Sequence, residues 1–165
     1  MDLPKRKQIR LPEYDYSTPD AYFVTICTQN RKCILSDIVV GDGVLDVPQE
    51  QLTLSGMCVR DTLLEIEQHY EWLSLDHFVI RPNHIHLLLR IKENGPSGTP
   101  APTNETLPKL ISTFKRFTNR RCGAKLWQRS YHGHVIRNEN DYREIWEYIE
   151  GNPARWADDR YFAEQ

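Results

Sequence analysis

Residues 73–91 read LSLDHFVIRPNHIHLLLRI, and this stretch decides the fold. Leu73 to Ile80 and His84 to Ile91 are two runs rich in β-branched, aromatic and aliphatic residues. Only Arg81-Pro82-Asn83 separates them, a connection too short for a crossover and suited to an antiparallel pair. Upstream, Ala21 to Thr28 (AYFVTICT) has the same strand character, and the GDG turn signal within Gly41 to Val47 suggests a short hairpin. Thr53 can cap a helix running to about His69, in which Val59, Leu63, Ile66 and Tyr70 recur at helical spacing. Downstream, a second helix opens at Thr106, with Pro108 in its first turn and Leu107, Leu110, Ile111, Phe114 and Phe117 as its apolar stripe. A strand at Tyr131 to Ile136 follows. A third helix then starts at Asn138, with Asp141 three residues on in the manner of a capping box, and Pro153 closes it.

The order strand, helix, strand, strand, helix, strand, helix predicts an α+β domain with a mostly antiparallel sheet and packed helices, the ferredoxin-like arrangement. The chain has 165 residues, which suits a single domain spanning 1–165, with a flexible loop at about 93–106 where Gly, Pro, Ser and Thr dominate. Hydrophobic residues make up 39% and charged residues 27%, a globular balance that argues against disorder. No apolar run reaches the ~18 residues of a membrane span, and the basic head lacks an apolar export segment, so a cytoplasmic protein with no membrane partner is expected. Cys27, Cys33, Cys58 and Cys122 form no CxxC pair and fit reduced thiols.

Lys and Arg number 21 against 23 Asp and Glu, a net charge of −2. The average hides a partition. Between Glu105 and Arg129 the charges are Lys109, Lys115, Arg116, Arg120, Arg121, Lys125 and Arg129 against Glu105 alone, while acids dominate after Asn138. Segregation of this kind can build one positive face for phosphates, or simply a solvated helix face.

His84 and His86 stand two apart in a strand and therefore point to one face, where two imidazoles can converge on a divalent ion. Two packed histidines are the alternative. Leu88 stands where a histidine-triad hydrolase would need a third histidine. On the third helix, Tyr148 and Asn152 are one turn apart: the amide oxygen can bind Mg²⁺ or Mn²⁺, and the phenol can attack a phosphorus. Alternatively, Tyr148 is an aromatic at the core edge and Asn152 a helix cap before Pro153.

Together, PNHIHLLL at 82–89 and LWQRSYHGHVIRNENDYREIWEYIEGNPARW at 126–156, with YDYSTPDAYFVTICTQNRKCI at 14–34, resemble the REP-associated tyrosine transposases of the HUH single-tyrosine nuclease superfamily. The resemblance implies a metal-dependent DNA transposase and endonuclease that cleaves and rejoins single-stranded, REP-type hairpin DNA through a 5′-phosphotyrosine intermediate. It makes Tyr148 the nucleophile, with His84, His86 and Asn152 as ligands of Mg²⁺ or Mn²⁺ and His134 at the edge of the site. Candidate DNA contacts are Lys109, Lys115, Arg116, Arg120, Arg121 and Arg129, with Trp127 and Tyr131 as stacking surfaces; a core role for Trp127 is the competing reading. A homodimer is left open. Two alternatives remain: a non-catalytic single-stranded or hairpin DNA-binding protein on the same fold, and a water-using phosphodiesterase of small nucleotides.

Overall fold

A computed structural model describes residues 20–41, 43, 48–92, 106–151 and 153–162. The central sheet holds four antiparallel strands: β1 (Ala21–Cys27), β4 (Leu73–Arg81), β5 (His84–Ile91) and β6 (His132–Ile136), in the order β4-β5-β1-β6. Helix α1 (Leu54–His69) links β1 to β4, and α2 (Thr106–Cys122) links β5 to β6. This is the ferredoxin-like order expected from the sequence. A second sheet pairs β2 (Ser36–Val39) with β3 (Gln49–Leu52). The expected 41–47 hairpin falls mostly outside the described residues, but the paired strands lie on either side of it. The head up to residue 19, residues 93–105 of the expected loop, and Asn152 are likewise outside the described residues.

Alternation along β1 and β5 sorts side chains onto two faces. Tyr22, Val24 and Ile26 join Ile85, Leu87, Leu89 and Ile91 beneath α1 and α2, whose Val59, Leu63, Leu110, Ile111 and Phe114 complete the larger core. Leu88 and Ile136 face the other way, against Ile149 of the third helix, α3 (Glu139–Glu150). The sheet is thus sandwiched between α1 and α2 on one side and α3 on the other. A bulge between Leu75 and His77 lets Leu75 and Phe78 share the larger core although they are three apart.

Thr53 caps α1, its Oγ1 accepting from the Gly56 amide at 3.1 Å. A Cβ on Gly56 would sit 1.9 Å from the Leu35 carbonyl oxygen, so only glycine lets α1 begin this close to the neighbouring backbone. Asn138 caps α3, accepting from the Asp141 amide at 2.9 Å, and the helix ends at Glu150, before Pro153. In α2, Thr118 rather than Phe117 continues the buried stripe: Thr118 is fully buried and Phe117 is 42% exposed, because the stripe advances by four residues after Phe114. All four cysteines are free thiols, and none of the described helices is long and apolar enough to cross a membrane.

Candidate active site

The face of the sheet under α3 carries the histidine pair. His86 lies opposite Thr25 of β1, and His84 lies between Cys27 and Arg81 of its two neighbouring strands. Both rings are buried, with their Nε2 atoms 3.0 Å apart. Each is held from behind through Nδ1, at 2.8 Å from Asn83 Oδ1 for His84 and 2.8 Å from Thr25 Oγ1 for His86. Asp159, beyond α3, brings Oδ2 to 3.6 Å from His84 Nε2, and one ligand atom from each of the three residues falls within 4.8 Å of the others. Burial, reinforced by the neighbouring imidazole and Arg81, lowers His84 to about 2; burial, with Arg81 and Arg160, lowers His86 to about 3. Both are neutral at ordinary pH, as metal ligands must be.

The cluster fits a divalent ion. Two ligand atoms each about 2.1 Å from an octahedral ion and at right angles stand about 3.0 Å apart, the separation seen here. Two imidazoles and a carboxylate suit first-row divalent metals. The third donor that the structure brings to the pair is Asp159; Asn152 lies outside the described residues.

Tyr148 stands beside this cluster. Its ring meets His86 at 5.2 Å and Phe23 at 6.0 Å, edge to face in the latter case, and the residue is 44% exposed. Burial, then Asp159 and Tyr161, push its phenol above the usual range. Tyr131 and Tyr161 are buried, and Tyr142 donates to Asp76 Oδ2 at 2.9 Å. A cleft of about 360 Å³ opens between His86, Tyr148, Tyr161, Arg160, His132 and His134. His134 accordingly lies at the site edge, where its Nε2 is 2.9 Å from Asp141 Oδ2. The end of α3 that carries Tyr148 is fixed by buried Arg81, which donates to the Gly151 carbonyl at 2.7 Å and to Glu50 Oε1 at 2.9 Å.

The basic residues expected at the DNA occupy a different face. Helix α2 packs on the side of the sheet opposite the histidines, so Lys109, Arg116 and Arg120, though exposed, do not line the cleft. Arg121 is paired with Glu65 and donates to Thr62, and Lys115 donates to the carbonyls of Gln128, Arg129 and Ser130, work internal to the fold. Arg129 is exposed. Two expectations are corrected outright. Trp127 is 2% exposed, donating through Nε1 to Thr118 Oγ1 at 2.7 Å, and Tyr131 is buried beneath the Lys115 ammonium; neither offers a face for a base. Among the described residues, Arg160 lines the cleft and Arg31 lies close to it, and their guanidinium carbons stand 4.9 and 5.6 Å from the Tyr161 ring. No local pattern in the sequence marks Asp159, Arg160, Asn83 or Thr25 as site residues; the trace of the first two is an Asp-Asp-Arg run after the third helix.

No protein-family model matches the chain. An uncharacterized protein of Haemophilus influenzae is 31% identical over 96% of this chain and 94% of its own length. A second protein of that organism, named "Putative REP-associated tyrosine transposase", is 25% identical over 86% of this chain and 74% of its own. The REP-associated tyrosine transposase of Escherichia coli is 26% identical over 63% of this chain and 58% of its own. Two of these relatives are REP-associated tyrosine transposases by name, and the chain is similar to them in sequence. A solved REP-associated tyrosine transposase, bound to a REP hairpin, shares the fold, with a TM-score of 0.59 at 20% identity over 85% of this chain and 69% of that one. The motifs noted in the sequence fall on β5, β6 and α3 of the fold just described.

Proposed function

We propose that the protein is a metal-dependent endonuclease and strand transferase acting on single-stranded hairpin DNA, with Tyr148 as nucleophile. The observation that carries this reading is the half-exposed Tyr148 phenol standing beside a buried His84-His86-Asp159 cluster in one open cleft. A Mg²⁺ or Mn²⁺ ion held by His84, His86 and Asp159, with Asn152 as a further candidate donor, would draw charge from a phosphate oxygen and lower the barrier to attack. Tyr148 Oη forms the bond to phosphorus as the bond to the 3′ oxygen breaks. The phenol loses one proton and the 3′ oxygen gains one, leaving a 5′-phosphotyrosine and a free 3′-hydroxyl. The phosphotyrosine retains the energy of the broken phosphodiester, so attack by another 3′-hydroxyl joins a new strand without a nucleotide cofactor.

Arg160 and Arg31 are the cations best placed to meet backbone phosphates entering the cleft, and the exposed Lys109, Arg116, Arg120 and Arg129 are candidates for phosphates farther from it. Hairpin DNA is favoured because a solved REP-associated tyrosine transposase of similar fold is bound to a REP hairpin. The test is incubation with end-labelled single-stranded hairpin DNA in Mn²⁺ or in EDTA, followed by a denaturing gel. A protein-DNA adduct is expected with Mn²⁺, and none with EDTA, Tyr148→Phe or His84→Ala. Tight binding without adduct or nicking across several hairpins would instead favour the non-catalytic DNA-binding protein.

A further inference from the structure

Asn83 is fully buried, adjoins His84, and has no part in the reaction as described so far. Its amide spans two elements far apart in sequence. Nδ2 donates to the Tyr161 carbonyl at 2.8 Å, and Oδ1 lies 2.8 Å from His84 Nδ1. A backbone carbonyl only accepts, so the bond to Tyr161 fixes which end of the amide is the NH₂. Oδ1 then faces His84 and can only accept, which places the His84 ring proton on Nδ1. The lone pair of the neutral ring is left on Nε2, the atom turned toward His86 and Asp159.

The same side chain also acts on Asp159. Tyr161 follows two residues later, and the Tyr161 amide donates to Asp159 Oδ1 at 2.8 Å, which leaves Oδ2 turned toward His84. One amide therefore sets the tautomer of one ligand and anchors the turn that delivers another. We infer that Asn83 is a positioning residue that couples His84 to the Asp159–Tyr161 turn and so assembles the metal site from two separate parts of the chain. The inference rests on the proposed metal site and adds a role that none of the site's ligands performs.

The first test needs no variant. In the metal-free wild-type protein, nitrogen-proton NMR correlations across the imidazole rings should show His84 protonated at Nδ1 and bare at Nε2. A proton on Nε2 overturns the inference. The second test follows Mn²⁺ binding by titration calorimetry. Asn83→Ala should weaken binding about 10- to 100-fold, the usual cost of removing a group that orients a ligand. Asn83→Asp keeps an acceptor for His84 and should retain the Nδ1–H tautomer while losing the bond to Tyr161. Combined with Asp159→Asn, Asn83→Ala should add clearly less than it costs alone, because part of its effect passes through Asp159. Fully additive losses, or an Asn83→Ala protein that binds Mn²⁺ as the wild type does, overturn the coupling. Failure of the wild type to bind Mn²⁺ would overturn the metal reading itself, whatever the NMR result.

Discussion

Replacing Arg81 with methionine tests how the helix bearing the candidate nucleophile is held. Arg81 is 5% exposed and joins Glu50 of the small sheet to the Gly151 carbonyl, three residues past Tyr148. Methionine fills much of the volume but leaves the Glu50 carboxylate and the Gly151 carbonyl without their partner. Removing one member of a buried ion pair costs about 3–5 kcal/mol, and at about 2–4 °C per kcal/mol for a chain of this size the melting temperature should fall by roughly 6–20 °C. The loss should depend on pH. Burial raises Glu50 above its ordinary value, and the Arg81 charge and hydrogen bond oppose that rise. Without Arg81 the folded-state pKa of Glu50 moves higher still. A raised folded-state pKa contributes stability that is fully present below the unfolded value and lost as pH rises through the folded one. The gap between Arg81→Met and wild type should therefore narrow as pH falls from 7 toward the ordinary carboxylate range, and adding Glu50→Gln to Arg81→Met should recover part of the loss at pH 7. Calorimetric melting of the variants across that range is the assay. A melting temperature within about 2 °C of wild type, or a gap that widens on acidification, would show that Arg81 does not hold Glu50 and the end of α3 in this way.

Other outcomes follow from the same packing. Tyr148→Phe should leave the melting temperature within about 4 °C of wild type, since a partly exposed hydroxyl contributes less than ~1 kcal/mol, while abolishing the DNA adduct; calorimetry and a denaturing gel read the two effects. Thr118→Val strands the buried Trp127 indole N–H and should cost about 1–3 kcal/mol in a urea melt. Arg160→Gln should weaken hairpin binding and lower the slope of log affinity against log salt by about one, measured by fluorescence anisotropy. Mn²⁺ at 100 times its dissociation constant should stabilise the protein by about 2.7 kcal/mol, and EDTA should remove that gain in thermal melts.

The central strands and three helices were legible because their periodicities are strong and Thr53 and Asn138 are real caps. The small sheet was not, since Ser36–Val39 and Gln49–Leu52 are short and partly polar. Within the site, His84 and His86 were readable from strand alternation. Asp159 and Arg160 reach the cleft by a tertiary return after α3, which leaves no local periodicity to read. The charge count likewise marked the basic helix but not its side of the sheet. That side is set by the crossover from β5 through α2 to β6, which the periodicity of the helix does not encode. Trp127 and Tyr131 looked like stacking surfaces because aromatic residues serve cores and nucleic-acid faces alike, and only burial separates the two uses.

The role of Tyr148 is tested most directly by isolating the covalent product after reaction of wild-type protein with a single-stranded hairpin and Mn²⁺, digesting it, and locating the attached nucleotide by tandem mass spectrometry. A 5′-phosphate ester is expected on Tyr148 and on no other tyrosine. Attachment at Tyr161 or another residue, or cleavage that proceeds with no covalent protein product, would contradict it.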